Sequence, residues 1–135
     1  MTSRFITPWL VRSNNTAERG ILSVLEHDKL PFQPVRTFWI TDMHHLGVRG
    51  GHAHREGHQL LVALAGQVRV LADGPGLLKS SWTLRGPDQG IWVPPMHWLD
   101  IRIWGNRTVL LVFASNAYAE SDYIRDRAEF EHLAK

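Results

Sequence analysis

The chain has 135 residues, 44% of them hydrophobic and 21% charged, which is enough for a real core and ordinary for a soluble globular protein. Its 15 basic and 13 acidic residues leave a net charge of +2 with no Lys/Arg block, which argues against a nucleic-acid or membrane partner. It has no cysteine, so disulfides, zinc–thiolate centres and thiol nucleophiles are excluded.

The first residues are interrupted by Pro8, Arg12 and Asn14-Asn15, so no signal-peptide core forms. No apolar run reaches the length of a membrane span, and a cytoplasmic protein is expected. Residues 37–40 (Thr-Phe-Trp-Ile) follow Pro31 and Pro34 and read as a strand. Residues 59–65 form a continuous apolar run and 67–71 alternate; Gly66 between them predicts a hairpin turn. Asp73-Gly74-Pro75-Gly76 is a clear turn. Strands are predicted at 79–84 and 89–93, separated by Arg85-Gly86-Pro87-Asp88. In 98–104, Leu99, Ile101 and Ile103 share one face, and Trp98, Asp100, Arg102 and Trp104 the other. Gly105-Asn106 reads as a turn into an apolar strand at 108–114. Residues 121–134 have helical spacing, with Ser121 as N-cap and Ile124, Ala128 and Leu133 along one side. Many short strands spaced by Gly/Pro turns predict an all-β sandwich or barrel with a short C-terminal helix. No repeat or linker divides the chain, so 1–135 reads as one domain.

His52-Ala53-His54 is the main chemical signal. On a strand, a spacing of two puts both imidazoles on one face, where they can form a proton-transfer site or half of a metal site. His52, His54, Gln59 and Gly66 resemble the first cupin motif, with Gln59 where metal-binding cupins carry Glu. The second motif would run from Pro94 and place its metal-binding His at Leu99. Leucine cannot ligate and Gln59 brings no charge, so no metal is expected. Of the other histidines, His44-His45 reads as a solvated turn, and His27, His58 and His132 as surface groups. His97 reads equally as a site wall or a packed turn.

A longer pattern runs through the chain in order: Glu18-Arg19-Gly20, Leu30-Pro31-Phe32, Arg36-Thr37-Phe38-Trp39-Ile40 and Arg49-Gly50-Gly51-His52-Ala53-His54-Arg55. It continues through Gly90-Ile91-Trp92-Val93-Pro94-Pro95-Met96, Ala114-Ser115 and Tyr118-Ala119-Glu120-Ser121-Asp122-Tyr123-Ile124-Arg125-Asp126 to Phe130. The set resembles the nucleotide-sugar 3,4-ketoisomerase family of cupins, the FdtA/QdtA-like enzymes with the WxcM-like C-terminal domain. The resemblance implies a jelly roll that moves the ketone of a dTDP-4-keto-6-deoxyhexose from C4 to C3 with no metal or other cofactor, in deoxyaminosugar biosynthesis. It implies proton transfer by His52 and His54, and a homodimer that exchanges N-terminal strands. Residues 19–26 would then pack on the partner and bring Arg19 to the site. Six tryptophans and two-sided apolar strands also favour a dimer.

Substrate contacts are assigned to Arg49, beside a Gly-Gly that lets backbone approach a phosphate, and to Arg19 in a similar role. Trp39 and Trp98 are candidates for stacking on thymine or the sugar, Gln59 for a polar contact, and Asp100 for a sugar hydroxyl or an ion pair. Residues 118–126 read as structure that docks the helix. The chain departs from the family at Phe38-Trp39, where a phenol is usual, and at Trp98-Leu99-Asp100, where Trp-His-Glu is frequent. An epimerase or other isomerase on a related nucleotide-linked ketosugar is the alternative enzyme. A non-catalytic sugar-nucleotide binding module is the alternative without catalysis.

Overall fold

A computed structural model describes residues 4–16, 18–44 and 47–135. In chain order the strands are β1 (Thr7–Leu10), β2 (Arg12–Thr16), β3 (Gly20–Val24), β4 (Arg36–Ile40) and β5 (Val48–His54). They continue with β6 (Gln59–Asp73), β7 (Lys79–Leu84), β8 (Gln89–Val93), β9 (Trp98–Ala114) and β10 (Tyr123–Ile124), and the chain ends in the helix α1 (Arg127–Ala134). An eight-stranded antiparallel sheet runs β1-β8-β6-β9-β5-β10, with β4 also on β9 and β7 also on β6. The sheet curls on itself as the cupin-type jelly roll expected from the sequence, while β2 and β3 form a separate two-stranded hairpin. Among the described residues, no helix is long and apolar enough to cross a membrane.

Strands at 79–84 and 89–93 lie where the sequence places them. The predicted hairpin at Gly66 does not form. β6 runs unbroken through Gly66, and β9 runs unbroken through Gly105, the two pairing along nearly their full length from Gln59↔Ala114 to Asp73↔Trp98. Register shifts between Ala63 and Gln67 mark a bulge. Gly66 sits there at φ +75°, and a Cβ would collide with the Thr108 side chain and backbone. A glycine at positive φ serves a turn or a bulge equally well, and the presence of β9 alongside selects the bulge.

β6 is buried on both sides. Leu61 and Ala63 enter the main core with Val70, Ile101 and Leu110. Leu60 and Val62 pack instead with Val11, Trp92 and Phe113 beneath Trp9, Leu25 and Phe32. The N-terminal third of the chain, not the C-terminal helix, therefore covers the second face. The helix covers a third cluster of Ala53, Trp98, Ile124 and Phe130. It starts at Arg127 rather than Ser121, because Asp126 is the N-cap and accepts from the Ala128 amide at 3.1 Å. Ile124, expected on the helix, instead belongs to β10.

β5 is bulged at Gly50-Gly51. Arg49 pairs with Ile101 and Gly50 with Asp100, but His52 pairs with Leu99, so the ladder shifts by a residue. Gly50 lies at φ +96°, and a Cβ there would meet the Leu99 carbonyl. Gly50→Ala should therefore destabilise the fold by about 1–3 kcal/mol, the usual cost of a strained backbone position. Urea unfolding monitored by tryptophan fluorescence measures this. An unchanged midpoint would mean that the bulge has no such strict requirement.

Candidate active site

In a regular strand, residues three apart face opposite ways. The extra residue of the bulge puts Arg49 on the same side as His52, and both line a cavity of about 370 Å³. Its floor is apolar, with Phe38, Leu61, Leu99 and Val112, and Gln59, Tyr123 and Arg125 complete the polar wall. His52 and His54 share a face as their spacing predicts, their ring centroids 5.3 Å apart and nearly perpendicular.

His54 is held on three sides. Its Nδ1–H donates to Asp122 Oδ2 at 2.9 Å, and its Nε2 accepts from the Gln59 amide at 3.2 Å, which fixes the neutral Nδ1–H tautomer. Tyr123, its β-ladder neighbour, lies against it with ring centroids 4.5 Å apart. The Asp122 carboxylate is itself anchored, since Oδ1 accepts the Glu56 amide at 2.8 Å. Burial lowers the His54 pKa, and the hydrogen bond and charge of Asp122 oppose that fall.

His52 stands differently. Its ring packs against Tyr123 at 4.9 Å, and among the described residues no carboxylate is hydrogen-bonded to it. Burial pushes its pKa down to about 4, helped by the nearby His54, Arg125 and Arg49, while a hydrogen bond to the Gly50 backbone works the other way. Across the neutral range His52 is thus an uncharged imidazole with a proton-accepting nitrogen. The site combines a free base with a second imidazole whose charged form has a carboxylate waiting.

Of the expected binding residues, Arg49 and Gln59 line the cavity and the others do not. Trp98 is buried beneath α1, with its ring 5.6 Å from Phe130 and the Arg127 guanidinium over it. Asp100 faces a different depression, shared with Trp98 and Lys79. Trp39 is 65% exposed on the outer side of β4. Arg19 lies in the exposed turn of the β2–β3 hairpin. Asp122, Tyr123 and Arg125 belong to the segment read from sequence as purely structural, and that reading is corrected here: it docks the helix and also builds the site.

The other histidines separate clearly. His58, expected at the surface, is half-buried, stacks on Trp92 and accepts its indole N–H at 3.0 Å. His97 is a packed turn, buried with Nδ1 donating to the Pro94 and Pro95 carbonyls. His44 lies outside the strands, and His45 falls outside the described residues. Among the described residues, no cluster of three or more His, Cys, Asp or Glu is arranged to hold a metal.

The fold and this site define a cupin-type jelly roll with one imidazole on the wall of its cavity and a second, carboxylate-bound imidazole beside it. The chain belongs to the FdtA family, whose WxcM-like C-terminal model matches residues 9–135. It is 36% identical over 119 residues to the TDP-4-oxo-6-deoxy-alpha-D-glucose-3,4-oxoisomerase of Aneurinibacillus thermoaerophilus, covering 87% of this chain and 85% of that one. The 3,4-ketoisomerase QdtA of Thermoanaerobacterium thermosaccharolyticum, solved as a His-to-Asn variant with TDP-4-keto-6-deoxyglucose, superposes with a TM-score of 0.90 at 28% identity. That match covers 96% of this chain and 93% of QdtA. A 3,4-ketoisomerase of Helicobacter canadensis gives a TM-score of 0.87 at 32% identity, covering 96% of both chains.

If Asp122 supports the His54 charge, Asp122→Asn should lower the His54 titration midpoint further, because the one group that raises it is lost. NMR titration of the imidazole Cε1–H reports this directly. A midpoint that stays in place would refute the coupling.

Proposed function

We propose that this chain is a sugar 3,4-ketoisomerase that converts a dTDP-4-keto-6-deoxyhexose into the 3-keto isomer, without a metal, as a single cytoplasmic domain serving deoxyaminosugar biosynthesis. The observation that carries the reading is an uncharged His52 on the wall of a sugar-sized cavity, with a carboxylate-aligned His54 beside it in the adjoining crevice, the two rings 5.3 Å apart. Family membership supports it, as do the activities of the relatives.

The chemistry follows from the two imidazoles. A proton on C3 is acidic because the neighbouring C4 is a ketone. His52 accepts it, and the electron pair passes into an enediolate spanning C3 and C4. Protonation at C4 and transfer of the hydroxyl proton from O3 to O4 leave the ketone at C3. No atom is gained or lost. His54 is suited to the second transfer, because Asp122 stabilises its cation at Nδ1 while Nε2 carries the moving proton. Gln59 donates to that Nε2 in the neutral state and presents its oxygen after a half-turn of the amide, so it follows either protonation state. Arg49 at the cavity rim suits the diphosphate.

The site also belongs to a homodimer in this reading, with N-terminal strands exchanged. The β2–β3 hairpin stands off the main sheet and exposes apolar side chains, Ile21 at 61% and Leu22 at 62%, next to Leu10 at the end of β1, which is 82% exposed. Such a surface is normally covered by another chain. Exchange would carry Arg19 from the hairpin turn to the partner's cavity.

Incubation of dTDP-4-keto-6-deoxyglucose with the protein in deuterated water, followed by NMR, tests the reaction. Deuterium should enter at the migrating position and the ketone should appear at C3, equally with and without a chelator. His52→Asn and His54→Asn should each cut turnover by about 10²–10⁴-fold. Wild-type turnover in the double variant, or a requirement for a divalent ion, would refute this mechanism. The acid limb of kcat/KM should lie well below the ordinary histidine range, because activity is lost only when His52 takes up a proton, at about pH 4.

Light scattering at micromolar concentration checks the assembly. A dimer is expected, and Ile21→Asp with Leu22→Asp should shift it towards monomer. A stable, fully active wild-type monomer would rule the exchange out.

A further inference from the structure

The segment between β9 and α1 carries a feature the proton transfers above do not use. Arg125 follows β10 and lines the cavity that holds His52. Its guanidinium lies 4.3 Å from the centroid of the Tyr123 ring, and that ring in turn covers both imidazoles. The Glu120 carboxylate grips it from outside, accepting Arg125 Nε at 2.6 Å and Nη2 at 3.0 Å. Tyr118 Oη donates to the same carboxylate at 2.6 Å. Glu120 thus engages one edge of the guanidinium and leaves Nη1 outside the pair. The Arg125 and Glu120 side chains are about half exposed, 52% and 58%, so it is the fork of hydrogen bonds and the ring face that orient the guanidinium.

On the ketoisomerase reading, the intermediate places a negative charge on an oxygen at C3 or C4, beside the base that has just removed the proton. His52 becomes an imidazolium as it takes the proton, and a permanent cation beside it can share the charge on the oxygen until the second transfer. We infer that Arg125 is the catalytic cation of this cavity, stabilising the enediolate oxygen, and that Glu120 is the positioning residue holding it there. This inference rests on the ketoisomerase reading for the identity of the anion, but not for the placement of the charge beside His52. The charge has a second effect, since a cation facing His52 discourages its protonation and keeps it available as the base. The other charged or titratable groups around His52 are Arg49 and His54 on its own strand, Tyr123 from β10, and Glu120 behind Arg125. Arg49 is the nearest alternative for the anion, but among the described residues no carboxylate or hydroxyl holds its guanidinium in one place.

The test uses full-length Arg125→Gln, Arg125→Lys and Glu120→Gln proteins in two measurements. In the first, NMR titration of His52 in the substrate-free protein should show a midpoint raised towards the ordinary histidine value in Arg125→Gln. Arg125→Lys keeps the charge and should stay close to wild type. Glu120→Gln removes an anion and should not raise the midpoint. In the second, kcat/KM on dTDP-4-keto-6-deoxyglucose should fall about 10²-fold in Arg125→Gln, the usual cost of losing one oxyanion partner, and recover in part in Arg125→Lys. An unmoved midpoint in Arg125→Gln overturns the placement of the charge. A raised midpoint with wild-type kcat/KM overturns the enediolate role. If the wild-type protein fails to isomerise any keto sugar, the ketoisomerase reading falls, and the midpoint series still decides whether Arg125 faces His52.

Discussion

The long antiparallel ladder between β6 and β9 is the constraint on which the rest of the molecule depends. Each strand pairs with the other over most of its length; β7 and β8 attach to β6, β4 and β5 to β9, and β1 and β10 attach one strand further out, to β8 and β5. Strands this long cannot stay flat, and the bulge opposite Thr108 interrupts the ladder locally and lets the pair bend, the pairing resuming on either side. Once bent, the two strands bring Gln59 from β6 and Leu99 from β9 to the lining of one cavity. The sheet that makes the core therefore also makes the container for the chemistry.

Within that container the two histidines receive opposite treatment. His54 is tied to a carboxylate, an amide and an aromatic ring, while His52 faces the nearer cations Arg125 and Arg49, with Glu120 behind Arg125 and, among the described residues, no carboxylate hydrogen-bonded to its ring. Identical side chains two residues apart are thus pushed towards different tasks by what comes from elsewhere in the chain. That difference is set by the short run from Tyr118 to Arg125, which is laid against β5 by two ladder pairs and by the Arg55 amide donating to the Asp122 carbonyl.

Much of this was legible in the sequence for local reasons. The strands at 79–84 and 89–93 have alternating or apolar residues between strong turn signals, and nothing tertiary overrides them. The shared face of His52 and His54 needs only the strand period, whereas Arg49 reaches that face through the bulge and Gln59 from the next strand. Gly66 was misread as a turn because glycine's positive φ does not say whether a partner strand runs past it. The helix was started too early because Ser121 is a good cap in isolation, whereas Ile124 gains more by pairing with Ala53 in a fully buried position. Asp122, Tyr123 and Arg125 were missed because they meet the histidines from nearly 70 residues further along the chain, a distance over which periodicity carries no information. The available signal was the alternation of Asp122, Tyr123, Ile124 and Arg125, three groups with hydrogen-bonding side chains in four positions, too many for a helix dock. Trp98 and Asp100 were placed at the site on chemical type alone. Their positions on the strand opposite the face of Leu99 turn them away from it.

The bulge at Gly50-Gly51 gives the active-site motif a phase as well as a composition. Counting along the backbone, Arg49 and His52 are out of step, and only the inserted residue brings them back into step across the sheet. Removing one glycine would leave every functional side chain in the sequence and yet send the arginine and the imidazoles to opposite sides of the wall. Point substitution and single-residue deletion are therefore unequal risks for this segment, the second being far worse. Anyone grafting the paired histidines onto another jelly roll would have to carry the glycines with them, since what is transplanted is a length of strand.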